Sequence, residues 1–255
     1  MTFKNAFWFI VFAFISCSCS TIEEEVVEEV DIYKETLLSL GFAEEHIQLV
    51  DDGYMVEGDL LYTYEVIKSY MKNDTDAKHQ AICTPGSTFP LDEQYVSDIE
   101  IFIDQNTLPL SWINPIKEAI AQFNAVQGTS INMRWRKYFP NTSTSGLNQC
   151  LARGVFSSSG ASAWVSPRSC STGGIGWQLV INLNGSGGDF DQRVATVMHE
   201  LGHVIGYFHT DTNSGTFIPG TCLLDPLSIM TSSVWGYDPE FTTCDIDAFQ
   251  MNYPD

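Results

Sequence analysis

Apolar positions recur along this chain with two periods, and the switches between them mark its elements. From Ile32 to Leu40 the spacing is helical, and Gly41 stops the run. Ile47 to Val50 and Tyr54 to Val56 are short apolar stretches on either side of Asp51-Asp52-Gly53, which predicts a hairpin. A second helix is expected from about Leu61 to Met71. The polar run from Lys72 to Gln80, followed by Thr84-Pro85-Gly86, reads as a linker and sets a boundary near residue 85. Beyond it, Ile99, Ile101 and Ile103 stand at alternate positions, as in a strand with one apolar side. Trp112 to Val126 carries Ile113, Ile116, Ile120 and Phe123 at helical spacing, with Pro115 in its first turn, so it should pack across a sheet. Further strands are predicted at Ile131–Trp135, Gly154–Ser158, Ala161–Ser166 and Gln178–Leu183, and a last long helix at Asp191–Ile205.

That last helix carries the chemistry. Residues His199 to His209 read HELGHVIGYFH. Two histidines four apart leave the same face of a helix, so His199 and His203 can share one metal ion. Glu200 sits at the edge of that face, where a carboxylate can act as general base without ligating the metal. Gly206 is free to take φ > 0, end the helix and turn the chain so that His209 arrives as a third ligand. The five fixed positions should coincide by chance on the order of 10⁻⁵ times in a chain of this length. The remaining histidines carry less: His46 and His79 each stand alone and are not expected to bind metal.

This pattern, completed by a downstream Met-turn at Ser228-Ile229-Met230, resembles the metzincin signature. The flanking stretches HELGHVIGYFHTD, IPGTC, DPLSIM and FTTCDIDAFQMNYPD resemble the dual-action HEIGH metallopeptidases, with Leu201 where that family's name has isoleucine. The likeness spans roughly residues 98 to 254, and the EGD at Glu57 to Asp59 also looks familiar. Departures are Cys222, Cys244 and the loop from Ser143 to Ser171, which bear on substrate preference and not on the zinc site. The resemblance implies an α+β fold: a twisted, mainly parallel sheet of about five strands, a backing helix, the zinc helix, and a small C-terminal subdomain. It implies Met230 beneath one catalytic Zn²⁺ and an edge strand, here Ala161, Ser162, Ala163 and Trp164, on which extended substrate pairs. Asp211, two residues past His209, is placed either to hold a ligand imidazole or to serve as an ordinary turn aspartate. Calcium binding is possible but not indicated by any residue pattern.

Composition narrows the partners. The formal charge is −20, from 32 acidic and 12 basic side chains, which repels nucleic acid and anionic lipid. Apolar residues make up 44% of 255, enough for a full core and a smaller added segment. Lys4, the apolar run from Ala6 to Ile15, and Phe14-Ile15-Ser16-Cys17 read as a signal peptide over residues 1–16 with a lipobox at Cys17, Cys19 being the weaker anchor. The run is too short to span a membrane. The expectation is an exported monomer, an outer-membrane or cell-surface lipoprotein or else a plainly secreted protein, touching membrane only through its lipid. Residues 17–31, with six acids from Glu23 to Asp31, form an acidic tether, residues 32–85 a pro-like segment, and residues 86–255 the catalytic domain.

In an oxidising compartment the remaining thiols should pair as Cys150 with Cys170 and Cys222 with Cys244, each bridge closing a loop of about twenty residues worth roughly 3 kcal/mol. Cys83, just ahead of the catalytic domain, and Asp59 are candidates to block the open zinc position until the segment is removed. The function expected is zinc-dependent hydrolysis of peptide bonds in protein or peptide substrates. The alternatives are a cell-surface binding protein with a non-catalytic zinc site, against which Glu200 argues, and a zinc hydrolase of another amide or ester.

Overall fold

The computed structural model describes residues 32–72, 91–168, 172–185, 187–212, 217–223, 225–234, 236 and 238–255. The predicted leader, Cys17, the acidic tether, the linker from residue 73 with His79 and Cys83, and Cys170 lie outside them. In chain order the elements are α1 (residues 32–39), β1 (Ile47–Val50), β2 (Gly53–Val56), β3 (Leu60–Thr63), α2 (Tyr64–Lys72), α3 (Glu93–Val96), β4 (Ile99–Ile103), α4 (Leu110–Ala125), β5 (Met133–Lys137), β6 (Gln149–Val155), β7 (Ala163–Ser166), β8 (Gln178–Asn182), α5 (Phe190–Val204) and α6 (Thr243–Asn252). Among these residues no helix is long and apolar enough to cross a membrane.

The fold is α+β, with one mixed sheet in the order β1-β2-β3-β7-β8-β6-β4-β5. β8, β6, β4 and β5 are parallel, and β7 returns antiparallel to β8. These are the five strands expected. Three more come from the N-terminal segment: β1, β2 and β3 form an antiparallel meander, and β3 docks in parallel on β7, with Leu60 opposite Val165. The strand predicted to be a free substrate-binding edge is therefore covered by the chain itself, and the true edges are β1 and β5. β3 was not expected, because its four residues read as the first turn of the helix that follows; so short an apolar run does not separate the two periods.

One face of the sheet packs α4 and α5 around a single core that includes Ile101, Ile103, Ile116, Phe123, Leu179 and Val197. α4 starts at Leu110, two residues ahead of the expected position, so Pro115 lies inside it and cannot donate to Ser111 O. Arg193 of α5 donates its guanidinium Nη1–H to that carbonyl at 3.2 Å, which satisfies the group and ties the two helices together.

β6 begins five residues before the predicted strand. Its buried positions are Cys150, Ala152 and Gly154, too small to stand out as apolar, and Gly154 is required because a Cβ there would stand 2.7 Å from Thr107 O. Cys150 points into the core as a free thiol, and burial pushes its pKa up to about 12. The expected Cys150–Cys170 bridge is therefore not formed, because the strand turns the thiol inward, away from surface loops. Cys222 and Cys244 do pair, with Cα atoms 5.5 Å apart, and fasten the C-terminal loop to α6.

Candidate metal centre

α5 opens with an Asp189 cap, whose carboxylate accepts from Gln192 N–H, and ends at Val204. Gly206 then takes φ +92°, the left-handed turn that carries the chain back toward the helix face and brings in His209. His199, His203 and His209 are all buried, and their Nε2 atoms form a triangle with edges of 3.1, 3.1 and 3.2 Å. Asp59, next to β3 of the N-terminal segment, faces the same point: its Oδ2 lies 3.1 Å from His199 Nε2 and 2.9 Å from His209 Nε2. One donor atom from each of the four residues falls within 4.8 Å of the others.

The tautomers follow from the partners. His199 Nδ1 donates to Ile229 O at 2.7 Å and His203 Nδ1 donates to Tyr207 O at 2.6 Å; a carbonyl only accepts, so both outer nitrogens carry hydrogen. The Nε2 atoms of these two rings are then the ones left to face each other and a carboxylate oxygen, a cluster that a single shared cation satisfies. His209 Nδ1 stands 3.3 Å from the buried Glu57 Oε2, near enough for an ion pair though too poorly aligned for a hydrogen bond.

The electrostatics agree. Burial alone lowers the affinity of His209 for a proton, yet Asp59 and Glu57 outweigh it and push its pKa up to about 9. Burial likewise opposes ionisation of Asp59, but the His203 charge and bonds from the three imidazoles hold its carboxyl well below the usual aspartate range. The pocket calls for positive charge at its centre. Three imidazole nitrogens and one carboxylate suit a single zinc ion and not calcium, which takes oxygen ligands in larger number.

Glu200 is 3% exposed and its Oε2 has no hydrogen-bond partner among the described residues. Burial first, and the Asp59 charge second, push its carboxyl well above the usual glutamate range. Together with His199 it lines a cavity of about 790 Å³ that also touches Asp59, Gln192, Thr196 and Val234.

Met230 is buried beneath the site, where a Cβ on Gly202 of the HELGH stretch would overlap its sulfur. The turn that carries it is held by Asp245 of α6. That buried carboxylate accepts from Ser228 Oγ and Ile229 N–H, and at the same time from Thr242 N–H and Oγ1 in the capping box of α6. Ile229 in turn offers its carbonyl to His199.

Of the two roles open to Asp211 the structure shows the turn one, and one of the four residues expected on the substrate strand faces away from the site. Asp211 does not reach an imidazole nitrogen; its carboxylate accepts from Ser232 N–H at 2.8 Å and Ser232 Oγ at 2.7 Å, clasping the loop after Met230, and the carboxylate facing His209 is Glu57. Ala161, Ser162 and Ala163 line the cavity, whereas Trp164 turns to the opposite face of the sheet against Met55 and Val180. Asp245 and Glu57 were missed. Thr242-x-x-Asp245 is a capping pattern that could have drawn attention to the first. Glu57 carried no signal except its place in EGD.

The family model described as Metallo-peptidase family M12 matches residues 117–249, more than half of the chain. No curated protein matches it. Among solved structures it is similar to myroilysin, at 12% identity and a TM-score of 0.43, over 63% of this chain and 85% of that one. It is also similar to the hatching enzyme HCE-1, a zinc-protease from the medaka fish Oryzias latipes, at 16% identity and 0.40 over 63% and 90%, and to metalloproteinase-II from Bacteroides fragilis, at 12% and 0.37 over 91% and 70%. With a zinc-fitting site carried on helix α5 inside the matched span, the chain belongs to metallo-peptidase family M12, the zinc metalloendopeptidases.

Proposed function

We propose that the chain is a zinc endopeptidase of the HEIGH type, held latent by its own N-terminal segment. His199, His203 and His209 are the zinc ligands, Glu200 is the general base, and Asp59 blocks the fourth position. The observation that carries this reading is the convergence of three Nε2 atoms on one point, with Glu200 on the same helix directed into the cleft and Asp59 covering it.

When bound, zinc supplies Lewis acidity toward a peptide carbonyl. The protein does the rest. Ile229 O and Tyr207 O fix the imidazole planes. With Asp59 withdrawn, water can enter beside Glu200, which takes its proton as the water attacks the carbonyl carbon and returns that proton to the leaving amine as the C–N bond breaks. Withdrawal also removes one of the two causes that keep the Glu200 proton bound. β7, once freed of β3, offers its main chain to an extended substrate.

Cys83 lies outside the described residues, and Asp59 is the blocking group supported by geometry. Export with a lipid on Cys17 belongs to the same reading; its supports are the Lys4 to Cys17 pattern and the Cys222–Cys244 bridge, which needs an oxidising compartment.

The test is Glu200→Gln, which keeps shape and loses basicity. After proteolytic removal of the N-terminal segment, the variant should bind zinc stoichiometrically yet cleave unfolded protein at least about a hundred-fold more slowly than wild type. His203→Ala should instead lose the metal. Wild-type-like cleavage by Glu200→Gln, or no chelator-sensitive cleavage by the processed wild type, would favour a binding protein with a zinc site that does no chemistry.

A further inference from the structure

Beyond Asp59 the N-terminal segment runs along β7, with Val165 N–H donating to Asp59 O at 2.8 Å. Successive side chains of β3 alternate between two faces. Leu61 lies on one, against Trp164, while Leu60 and Tyr62 lie on the other, in an apolar cluster built from residues 33 to 70. One residue from the rest of the chain packs on that cluster: Phe208, the immediate neighbour of His209. Its ring meets Phe42 edge-on with centroids 5.9 Å apart, and Phe42 meets Tyr62 in the same manner at 5.4 Å. One face of Phe208, beside the third histidine, is thus covered by aromatic rings brought by the segment that covers the cleft, while a cavity of about 390 Å³ lined by Phe208, His209, Phe217 and Ile218 lies open next to it.

The other side of the metal centre differs. There Gln192, Thr196, Ser232 and Val234, with Met55 and Asp59 of the segment, line a cavity to which no Phe, Tyr or Trp contributes. Gln192 donates its Nε2–H to Val234 O and accepts Gly236 N–H, so this wall is pinned by polar groups. Apolar selection is built on the Phe208 side.

We infer that Phe208 is the floor of a specificity subsite, and that a peptide replacing the N-terminal segment on β7 must set an aromatic or large aliphatic side chain on it, within three residues of the cleaved bond and away from the Gln192 pocket. This rests on the zinc endopeptidase reading. Phe42 and Tyr62 show the kind of side chain the position holds. When the segment departs, the ring of Phe208 loses its cover, and a substrate ring restores the edge-on contact. A small residue leaves the ring in water. Selection of this kind in an apolar pocket amounts to about 10- to 200-fold in kcat/KM.

The experiment uses the zinc-loaded full chain, nicked by limited proteolysis between residues 72 and 91 and freed of its N-terminal segment, on a mixed peptide library whose cleavage sites are sequenced. Phe, Tyr or Leu should be enriched at one position on one side of the bond, and matched peptides with Phe or Ala there should differ by at least about tenfold in kcat/KM. In Phe208→Ala that Phe-to-Ala ratio should collapse toward one, while Phe208→Leu, a milder change, should keep preference for large aliphatic residues. A profile flat within three residues of the bond on the Phe208 side overturns the inference, as does an unchanged ratio in Phe208→Ala, and both leave the peptidase reading standing. No cleavage of any peptide by the wild type overturns the two together.

Discussion

Asp245 is the residue whose loss should travel furthest. Its carboxylate receives four hydrogen bonds, two from the turn carrying Met230 and two from its own helix cap, and all of them vanish in Asp245→Ala. Ser228 and Ile229 are 1% exposed, so water cannot replace what they lose. Each of the two orphaned turn donors costs about 1–3 kcal/mol, and the broken cap about 0.5–2 kcal/mol, for a total of about 2.5–8 kcal/mol. A domain of this size has about 5–15 kcal/mol in all, and each kcal/mol moves the melting temperature by about 2–4 °C. The variant should therefore melt roughly 5–30 °C lower in a calorimetric or fluorescence scan. A second effect is specific to the site: the Ile229 carbonyl that orients His199 rides on the loosened turn. Zinc affinity, measured by competition with a chromophoric chelator at a temperature where the variant is folded, should drop by about 10- to 100-fold. Asp245→Asn keeps one accepting oxygen and the shape, so its losses should be smaller on both scales. A melting point within about 2 °C of wild type, with zinc affinity intact, would show that this carboxylate does not carry the turn.

Gly202→Ala drives a methyl group into Met230; overpacking of about 1–3 kcal/mol less the helix gain of about 1 kcal/mol should leave the variant modestly destabilised. The double variant with Met230→Ala should recover part of the melting temperature, and no recovery refutes the contact. Asp59→Ala should give the uncut full chain detectable chelator-sensitive cleavage, whereas equal activity of uncut and processed wild type would remove the blocking role. The pKa of Asp211 is lowered, by Ser232 against burial. Its clasp therefore adds stability that is present above the ordinary aspartate pKa and lost as pH falls through the lowered value. Asp211→Asn should flatten that acid fall of the melting temperature, and an unchanged acid limb counts against the clasp.

What could be read from the sequence divides along physical lines. The helices α1, α2, α4 and α5 and the strands β4 and β8 announce themselves through large apolar side chains at regular spacing, and the metal site through a histidine spacing that only a helix and a glycine turn can bring to one point; α3 and α6 do not. β6 hid because its inward residues, Cys150, Ala152 and Gly154, are too small to stand out as apolar, and the need for Gly154 comes from its partner at Thr107. β3 hid because pairing with β7, a tertiary event between residues a hundred positions apart, decides its conformation. Asp211 was open to two roles because proximity in sequence to His209 says nothing about which way a turn directs its side chain. The carboxylates that do face the ligands, Glu57 and Asp59, come from the far end of the chain.

On the proposed reading, that origin explains how one segment can both cover the site and be given up. Its main-chain purchase on β7 is slight, a single strand pair at Leu60 and Val165 with the bond to Asp59 O. Most of what holds it is side chains: Phe42, Leu60 and Tyr62 toward Phe208, Leu61 toward Trp164, and the two carboxylates on the imidazoles. The strand β1–β2 behind it pairs only within the segment, so the whole meander can leave as a unit without breaking any hydrogen bond among β7, β8, β6, β4 and β5. Glu57 adds to this asymmetry. It is the only non-glycine residue among those described with a positive φ, 55°, and its left-handed turn is what directs Glu57 at the outer nitrogen of His209 and Asp59, two residues on, at the inner one. The strain of that turn is borne by the segment and is released with it, while the catalytic residues stay anchored by Ile229, Tyr207 and Asp245, all of which belong to the part that remains.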